Sequence, residues 1–392
     1  LDIIRYFVEM GLTVDDIRDS NALQSAAYNK HLDIIRYFVG MGLTLNDVRA
    51  SYALQIAAID GRLDIIRYFV EMGLTVDDIR ASRALQIAIE YDRLDVIRYF
   101  VEMGLTVEDV RASKALQSAA LGGHLDIIRY FVEMGLTLND IRASEALQTV
   151  VINGRLDVIR YFIEIGLTVE DVRASYALRT AAIYDHLNII RYFVEIGLTV
   201  DDIRANNALR SAATGGHLDI IRYFVEMGLT LNDVRTSRAL QSAVEYDRLD
   251  IISYFIEIGM TLNDIRASEA LQSAVENGHL DIIRYFVDRM GLTVEDVRAS
   301  GALRTAAIYD HLDIIRYLVE MGVTLEDVRA NNFDLFKLAI INDNVNVAEY
   351  FTNEMGLSGI PPNLFTSQEI ANLSDETREF LYSNGIIVGI AG

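Results

Sequence analysis

Six histidines, His31, His124, His186, His217, His279 and His311, are the side chains of this sequence best suited to acid–base work or to holding a metal. Each stands just before a Leu-Asp or Leu-Asn pair, and the same place is filled elsewhere by Arg62, Arg93, Arg155 and Arg248. Arginine offers no nitrogen lone pair to a proton or a metal, so a position that accepts this exchange is a structural turn. Neighbouring carboxylates, such as Asp77-Asp78 and Asp201-Asp202, have the types needed for acid–base or calcium chemistry. They recur as Asn46-Asp47 and Glu108-Asp109, each behind a threonine in the pattern T-x-x-D, which is the spacing of a helix-capping box. Gly122-Gly123 and Gly215-Gly216 lie at turns and lack the context of a phosphate loop. Cysteine is absent, which removes disulfides and thiolate ligands. No catalytic residue, cofactor or metal site is expected, and the chain does not read as an enzyme.

These residues keep their spacing because a repeat carries them. LDIIRYFVEMGLTVDDIR spans residues 1–18 and returns letter for letter at 63–80. Aligned on the Leu-Asp pair, copies begin at 1, 32, 63, 94, 125, 156, 187, 218, 249 and 280, then at 312, with a degraded copy at 345. The period of 31 is that of stacked helical repeats. One extra residue in VDRMG, 287–291, shifts the eleventh copy by one, as an insertion at a helix end would.

Placed at 100° per residue, LDIIRYFVEM (63–72) is apolar nearly all round. Asp64, Arg67 and Glu71 share one narrow wedge, where i,i+3 and i,i+4 pairing is expected. Such a helix must be covered on several sides, by a partner helix and by the same helix of both neighbouring copies. The tyrosines of its R-Y-F segment form the edge of that core. Gly73 is the expected left-handed stop. Thr75 to Asp78 then caps a short helical turn, and Ser82, like Ser51, Ser113, Ser144 and Ser175, is expected to cap a second helix of the form x-A-L-Q-x-A-A. No thirty-one-residue unit can bury its own apolar faces, so stability must come from stacking.

The charge is −22 and the pI near 4.6, spread along the repeats: residues 63–93 hold Arg67, Arg80, Arg83 and Arg93 against Asp64, Glu71, Asp77, Asp78, Glu90 and Asp92. This repels phosphate backbones, so nucleic acid and anionic membrane are poor partners and basic protein surfaces plausible ones. The apolar end IIVGIAG, 386–392, is too short to span a bilayer. Because the chain opens in LDIIRYF without an initiator Met, residues are expected to precede Leu1.

ALQIAAIDGRLDIIRYFVEMG (53–73) resembles the ankyrin repeat. Small residues stand at Ala57 and Ala58, a G-[HR] turn at Gly61-Arg62 and an x-I-I-x-x-[FL]-[VL] helix after it, with Ala53-Leu54-Gln55 where the family has Pro-Leu-His. The resemblance covers about residues 1–356 and implies an all-α, ankyrin-like helical-repeat solenoid of helix pairs with a short capped helical connector and a C-terminal helical cap. The period is shorter than the family's, about 33, and LTVDDIR replaces its extended finger, which puts finger-mediated recognition in doubt. The connector Gly-Leu-Thr-x-x-Asp-[Ile/Val]-Arg is similar to that of the ankyrin arrays of giant DNA viruses, which implies an intracellular place, in the host cytoplasm, or a place in the virion.

The expected organisation is a repeat array over 1–329 with an incomplete first repeat, a degenerate capping repeat over 330–356, and a helical tail over 357–392. Asn342, Asp343, Asn344, Asn346, Thr352 and Asn353 give the degenerate copy one wet face. Past Pro361-Pro362 the tail is expected to form two helices, capped by Ser367 and Ser374 and stopped at Gly385, that fold back on the last repeat; the alternative is a peptide-like docking motif.

The outward side of the A-L-Q helix varies between copies. In ankyrins the position of Ile59 looks into the concave groove. Along this chain it runs Tyr28, Ile59, Glu90, Leu121, Ile152, Ile183, Thr214, Glu245, Glu276, Ile308, with the helix-start residues Tyr52, Arg83, Lys114, Glu145 and Tyr176 beside it. Apolar members there suggest a contact strip; the alternative is that the next repeat's connector covers them. By resemblance the function is a non-enzymatic scaffold that binds a partner protein. The competing expectation is a structural virion or filament subunit, self-associating through an edge of Ile3, Ile4, Phe7 and Val8.

Overall fold

A computed structural model describes residues 1–387. Among the described residues the structure is helical with no strand, and no helix is long and apolar enough to cross a membrane. Of the apolar end 386–392, residues 388–392 lie outside the described residues, as does that part of the expected tail. The chain divides into two compact units, Leu1–Leu198 and Thr199–Gly392.

In the first unit each period contributes a connector, a first helix and a second helix: Val76–Ala81, Ala84–Glu90 and Leu94–Glu102 are one set. The capping boxes form as the spacing requires. Asp78 Oδ2 accepts from the Thr75 amide at 2.8 Å and the Thr75 hydroxyl at 2.9 Å. The second helix Leu63–Glu71 starts with Asp64 in its first turn, where a carboxylate meets the positive end of the helix dipole. It stops at Gly73 (φ +104°), whose successor Leu74 donates back to the Phe69 carbonyl at 3.0 Å. Each first helix buries one small-residue face; Ala53, Leu54, Ala57 and Ala58 are covered and let neighbouring first helices approach closely. The core is a row of fully buried phenylalanines, Phe38, Phe69, Phe100, Phe131, Phe162 and Phe193, flanked by pairs such as Ile65 and Ile66. Each buried side chain of this size contributes about 1.5–3 kcal/mol.

The serines do not occupy the N-cap. Tyr52 and Arg83 do, and the serine stands one residue earlier. Ser82 Oγ donates to the Ile79 carbonyl at 3.0 Å and accepts from the Ala84 amide at 3.3 Å, which ties the connector's end to the next helix's first free N–H. The polar wedge also departs from expectation. Arg67 pairs with neither Asp64 nor Glu71 but lies over the ring of Tyr99 in the next repeat, 5.3 Å from its centroid, and Asp64 pairs with Arg62 at 2.6 Å. A flat guanidinium gains more from a half-buried ring than from solvated carboxylates on its own helix. At the start of the chain an i,i+3 pair does form on this helix, Arg5–Asp2 at 3.6 Å.

The second unit repeats this plan, with Phe224, Phe255 and Phe286 in the buried row. The inserted residue is absorbed by lengthening one helix, Leu280–Met290, which Gly291 (φ +73°) closes. Further on, helical geometry breaks at Ala330–Phe333, where Asn331, Asn332 and Phe333 have positive φ, and Val345–Glu349 runs into a wide turn, Tyr350–Glu354. Asn342, Asp343, Asn346 and Asn353 are exposed, whereas Thr352 is half-buried and the half-buried Asn344 donates to the Ala307 and Ile308 carbonyls at 2.8 and 2.7 Å. The tail forms Ser367–Asn372 and Asp375–Ser383. Thr366, not Ser367, caps the first of these, through a box with Glu369, because the carboxylate three residues on from Thr366 closes the ring; Ser374 caps the second. Asp343 Oδ1 accepts from the Ser374 amide (2.9 Å) and the Thr377 hydroxyl (2.7 Å), Lys337 pairs with Glu369 at 2.9 Å, and Phe365 meets Phe336 edge-on.

Candidate protein-binding surface

The surface begins with the helical period. In Ala115–Gly122 the inward positions are Leu116, Ala119 and Ala120, which leaves Leu121 pointing out, 58% exposed. In Ala146–Ile152 the same geometry exposes Ile152 to 39%. The two side chains share a crevice of about 440 Å³ with Lys114, Gln117 and Thr149 on its walls. The other expected strip members fall into two groups. Tyr28, Tyr52 and Tyr176 are more than half exposed, and Arg83, Glu90, Glu245 and Glu276 are exposed. Ile59, Ile183, Thr214 and Ile308 are half-buried. At the proposed edge Ile3 and Phe7 are exposed while Ile4 and Val8 are half-buried.

Sequence reasoning missed a second file of side chains. Tyr91 and Tyr184 in the first unit, and Tyr246 and Tyr309 in the second, stand one residue beyond the strip and are about half exposed. The signal was present: one register position carries tyrosine in these copies and Asp60, Asn153 or Asn277 in others. Tyr309 donates to the Glu276 carboxylate at 3.0 Å and so holds it in place.

The turn histidines do structural work across repeats. His186 Nε2 lies 2.9 Å from the Ile152 carbonyl, His279 Nε2 3.0 Å from that of Glu245, and His311 Nε2 3.1 Å from that of Glu276. Arg93 Nε reaches the matching carbonyl, Ile59, at 2.7 Å. Each satisfies an orphan carbonyl at the end of the preceding first helix, which either a His or an Arg nitrogen can do. His124 departs from this pattern: its Nδ1 faces Asp92 at 3.4 Å and its buried Nε2 has no hydrogen-bond partner among the described residues.

The capping carboxylates serve twice. Arg80 Nε donates to Asp109 Oδ1 (2.8 Å) and a terminal nitrogen to Oδ2 (3.0 Å), while Asp109 also closes the Thr106 box. The same bridge links Arg49 to Asp78, Arg111 to Asp140 and Arg142 to Asp171 in the first unit, and Arg204 to Asp233, Arg235 to Asp264, Arg266 to Asp296 and Arg298 to Asp327 in the second. Hydrogen bonds from Arg80 bring the Asp109 carboxyl down to about 2; its partial burial opposes this and the Thr106 amide and hydroxyl add to it. Among the described residues no three His, Asp or Glu side chains gather to hold a metal.

Helix pairs on a fixed period, small-residue first helices and a capped connector make up each repeat. The family model described as ankyrin repeats (3 copies) matches residues 23–111 and 150–235. In those two stretches the repeats are similar to ankyrin repeats. No curated protein matches the chain. Ankyrin repeats generally mediate protein–protein interaction and are typically non-enzymatic modules. In this chain the segment between helix pairs is itself a helical turn, Val76–Ala81 for example, so the outward side of the first helix and the turn beside it are the surfaces left free to differ.

Proposed function

We propose that the protein is a non-enzymatic scaffold that holds a partner protein along the outward side of its first helices. One observation carries this reading: Leu121 and Ile152, on adjacent first helices, keep large apolar side chains in water within a shared crevice, although polar residues fill the same register elsewhere. Leaving them exposed gains nothing for folding, whereas covering them on binding returns about 25 cal/mol per Å² of apolar area. Neighbouring exposed tyrosines suit a contact surface, since an aromatic ring gives area at small entropic cost and its hydroxyl stays bonded.

The test is affinity capture by the full chain and by Leu121→Glu/Ile152→Glu, with circular dichroism of both. The expected result is loss of the captured protein with an unchanged helical spectrum. Equal capture by both chains would remove the strip as the binding surface.

A further inference from the structure

Two crevices between consecutive repeats are built alike, one in each compact unit. In the first, Val110, Leu116 and Leu136 floor a space of about 490 Å³ with Lys114 and Glu145 lining it. In the second, Val234, Leu240 and Met260 floor about 450 Å³ with Arg238 and Glu269 at the matching places. Crevices in the same register without such a charged pair are about half as large, about 260 Å³ over Val48, Leu54 and Leu74 and about 250 Å³ over Ile203, Leu209 and Leu229.

Among the described residues the four rim charges have no ion-pair partner. Arg111 is bonded to Asp140 and Arg235 to Asp264, so the bridging pair inside each crevice is satisfied. Lys114, Glu145, Arg238 and Glu269 are exposed and make no ion pair among the described residues. All four sit in left-handed backbone, φ +55° to +59°, which an ordinary side chain adopts at some cost. At the same register Tyr52, Arg83 and Tyr176 have negative φ, whereas Asn207, beside one of the smaller crevices, shares the left-handed backbone at φ +54°. In the first unit Lys114 and Gln117 also wall the crevice of Leu121 and Ile152, so the two spaces adjoin.

An apolar floor between a free cation and a free carboxylate selects a dipolar occupant. A wholly basic partner, which the charge of −22 would favour at long range, leaves Lys114 and Arg238 unanswered. We propose that each crevice seats an apolar side chain of a partner's peptide segment, with an acidic residue on one side of it meeting Lys114 or Arg238 and a basic residue on the other meeting Glu145 or Glu269. This rests on the protein-binding reading and assigns its chemistry. Two like sites give two such segments per chain.

Selection of short random displayed peptides on the full chain tests it, alongside Lys114→Glu/Arg238→Glu and Ile152→Glu chains whose circular dichroism matches the parent. The expected outcome is enrichment of peptides with an acidic and a basic residue flanking an apolar one. Those peptides bind the Lys114→Glu/Arg238→Glu chain about five- to tenfold more weakly, the scale of one reversed exposed pair, and that chain instead selects peptides basic on both flanks. Enriched peptides without the flanking charges, or with the acidic preference unchanged on the reversed chain, overturn the assignment. If such peptides are nevertheless lost on Ile152→Glu, the scaffold reading survives alone; if the parent chain retains no peptide above an uncoated surface, the scaffold reading falls too.

Discussion

Removing the Arg80–Asp109 bridge should loosen one connector by an amount that acid erases. Asp109 holds two loads, the Thr106 box (2.8 and 2.9 Å) and the guanidinium of the preceding repeat (2.8 and 3.0 Å). Arg80→Met keeps the aliphatic stem and the Thr106 box, and removes the second load together with the bonds of Arg80 to Asp77 (2.7 Å) and to the Gly104 carbonyl (3.4 Å). With Arg80 about 39% exposed, solvent screens the pair, and its loss should raise local opening by about two- to fivefold. Asp109→Ala also forfeits the cap, about 1 kcal/mol more, and the double variant should cost less than the sum of the two. Hydrogen exchange of the amides around Val110, which donates to the Thr106 carbonyl, reads this locally, where a stacked array need not unfold as one. The pH dependence has a definite sign. The Asp109 carboxyl titrates lower in the folded chain, about 2, than in the unfolded chain, about 3.9. Its contribution is therefore complete above about pH 4 to 5 and lost as pH falls through about 2. The parent and Arg80→Met should differ by a constant amount near neutrality and converge in acid. A difference that persists unchanged at pH 2, or grows as pH falls, would show that stem packing rather than the ionised pair is responsible.

Two further outcomes follow from packing. A Cβ on Gly123 would stand 2.5 Å from Arg155 Nε, so Gly123→Asp should cost about 1–2 kcal/mol in thermal or urea unfolding, and Gly123→Asp/Arg155→His should recover most of it, because Asp92 and His124 already form that combination. Phe131→Ala should cost about 3–5 kcal/mol and Phe131→Leu under about 1.5 kcal/mol, since Leu318 fills the equivalent place in a later copy.

The helix pairs, the capping boxes and the left-handed glycines were legible because each is written within a single copy. Thr75 and Asp78 lie three residues apart, and Gly73 follows the last apolar residue. The partners of Arg67 and Arg80 were not, because each is in the next repeat, and a sequence that offers the same tyrosine and aspartate in every copy does not say which one a given arginine meets. Single-helix geometry favoured Asp64 and Glu71; stacking put Tyr99 nearer. The outward positions of the strip followed from the helical wheel, but their exposure did not. Leu121 stands in water and Ile59 half under cover at the same register, a distinction made by neighbouring side chains. The crevices were invisible for the same reason, since Lys114 and Glu145 come to one space only when two repeats stack.

The sameness of the rungs has an evolutionary consequence. Excising residues 63–93 would bring Arg49 to Asp109, at the spacing it now has to Asp78, and Arg36 to Tyr99, at the spacing it now has to Tyr68. Whole periods can thus be lost or duplicated by recombination between near-identical stretches without leaving a mismatched joint. The joint left by such an exchange is the same as every other joint between copies, so the number of copies is not fixed by the packing of any one of them.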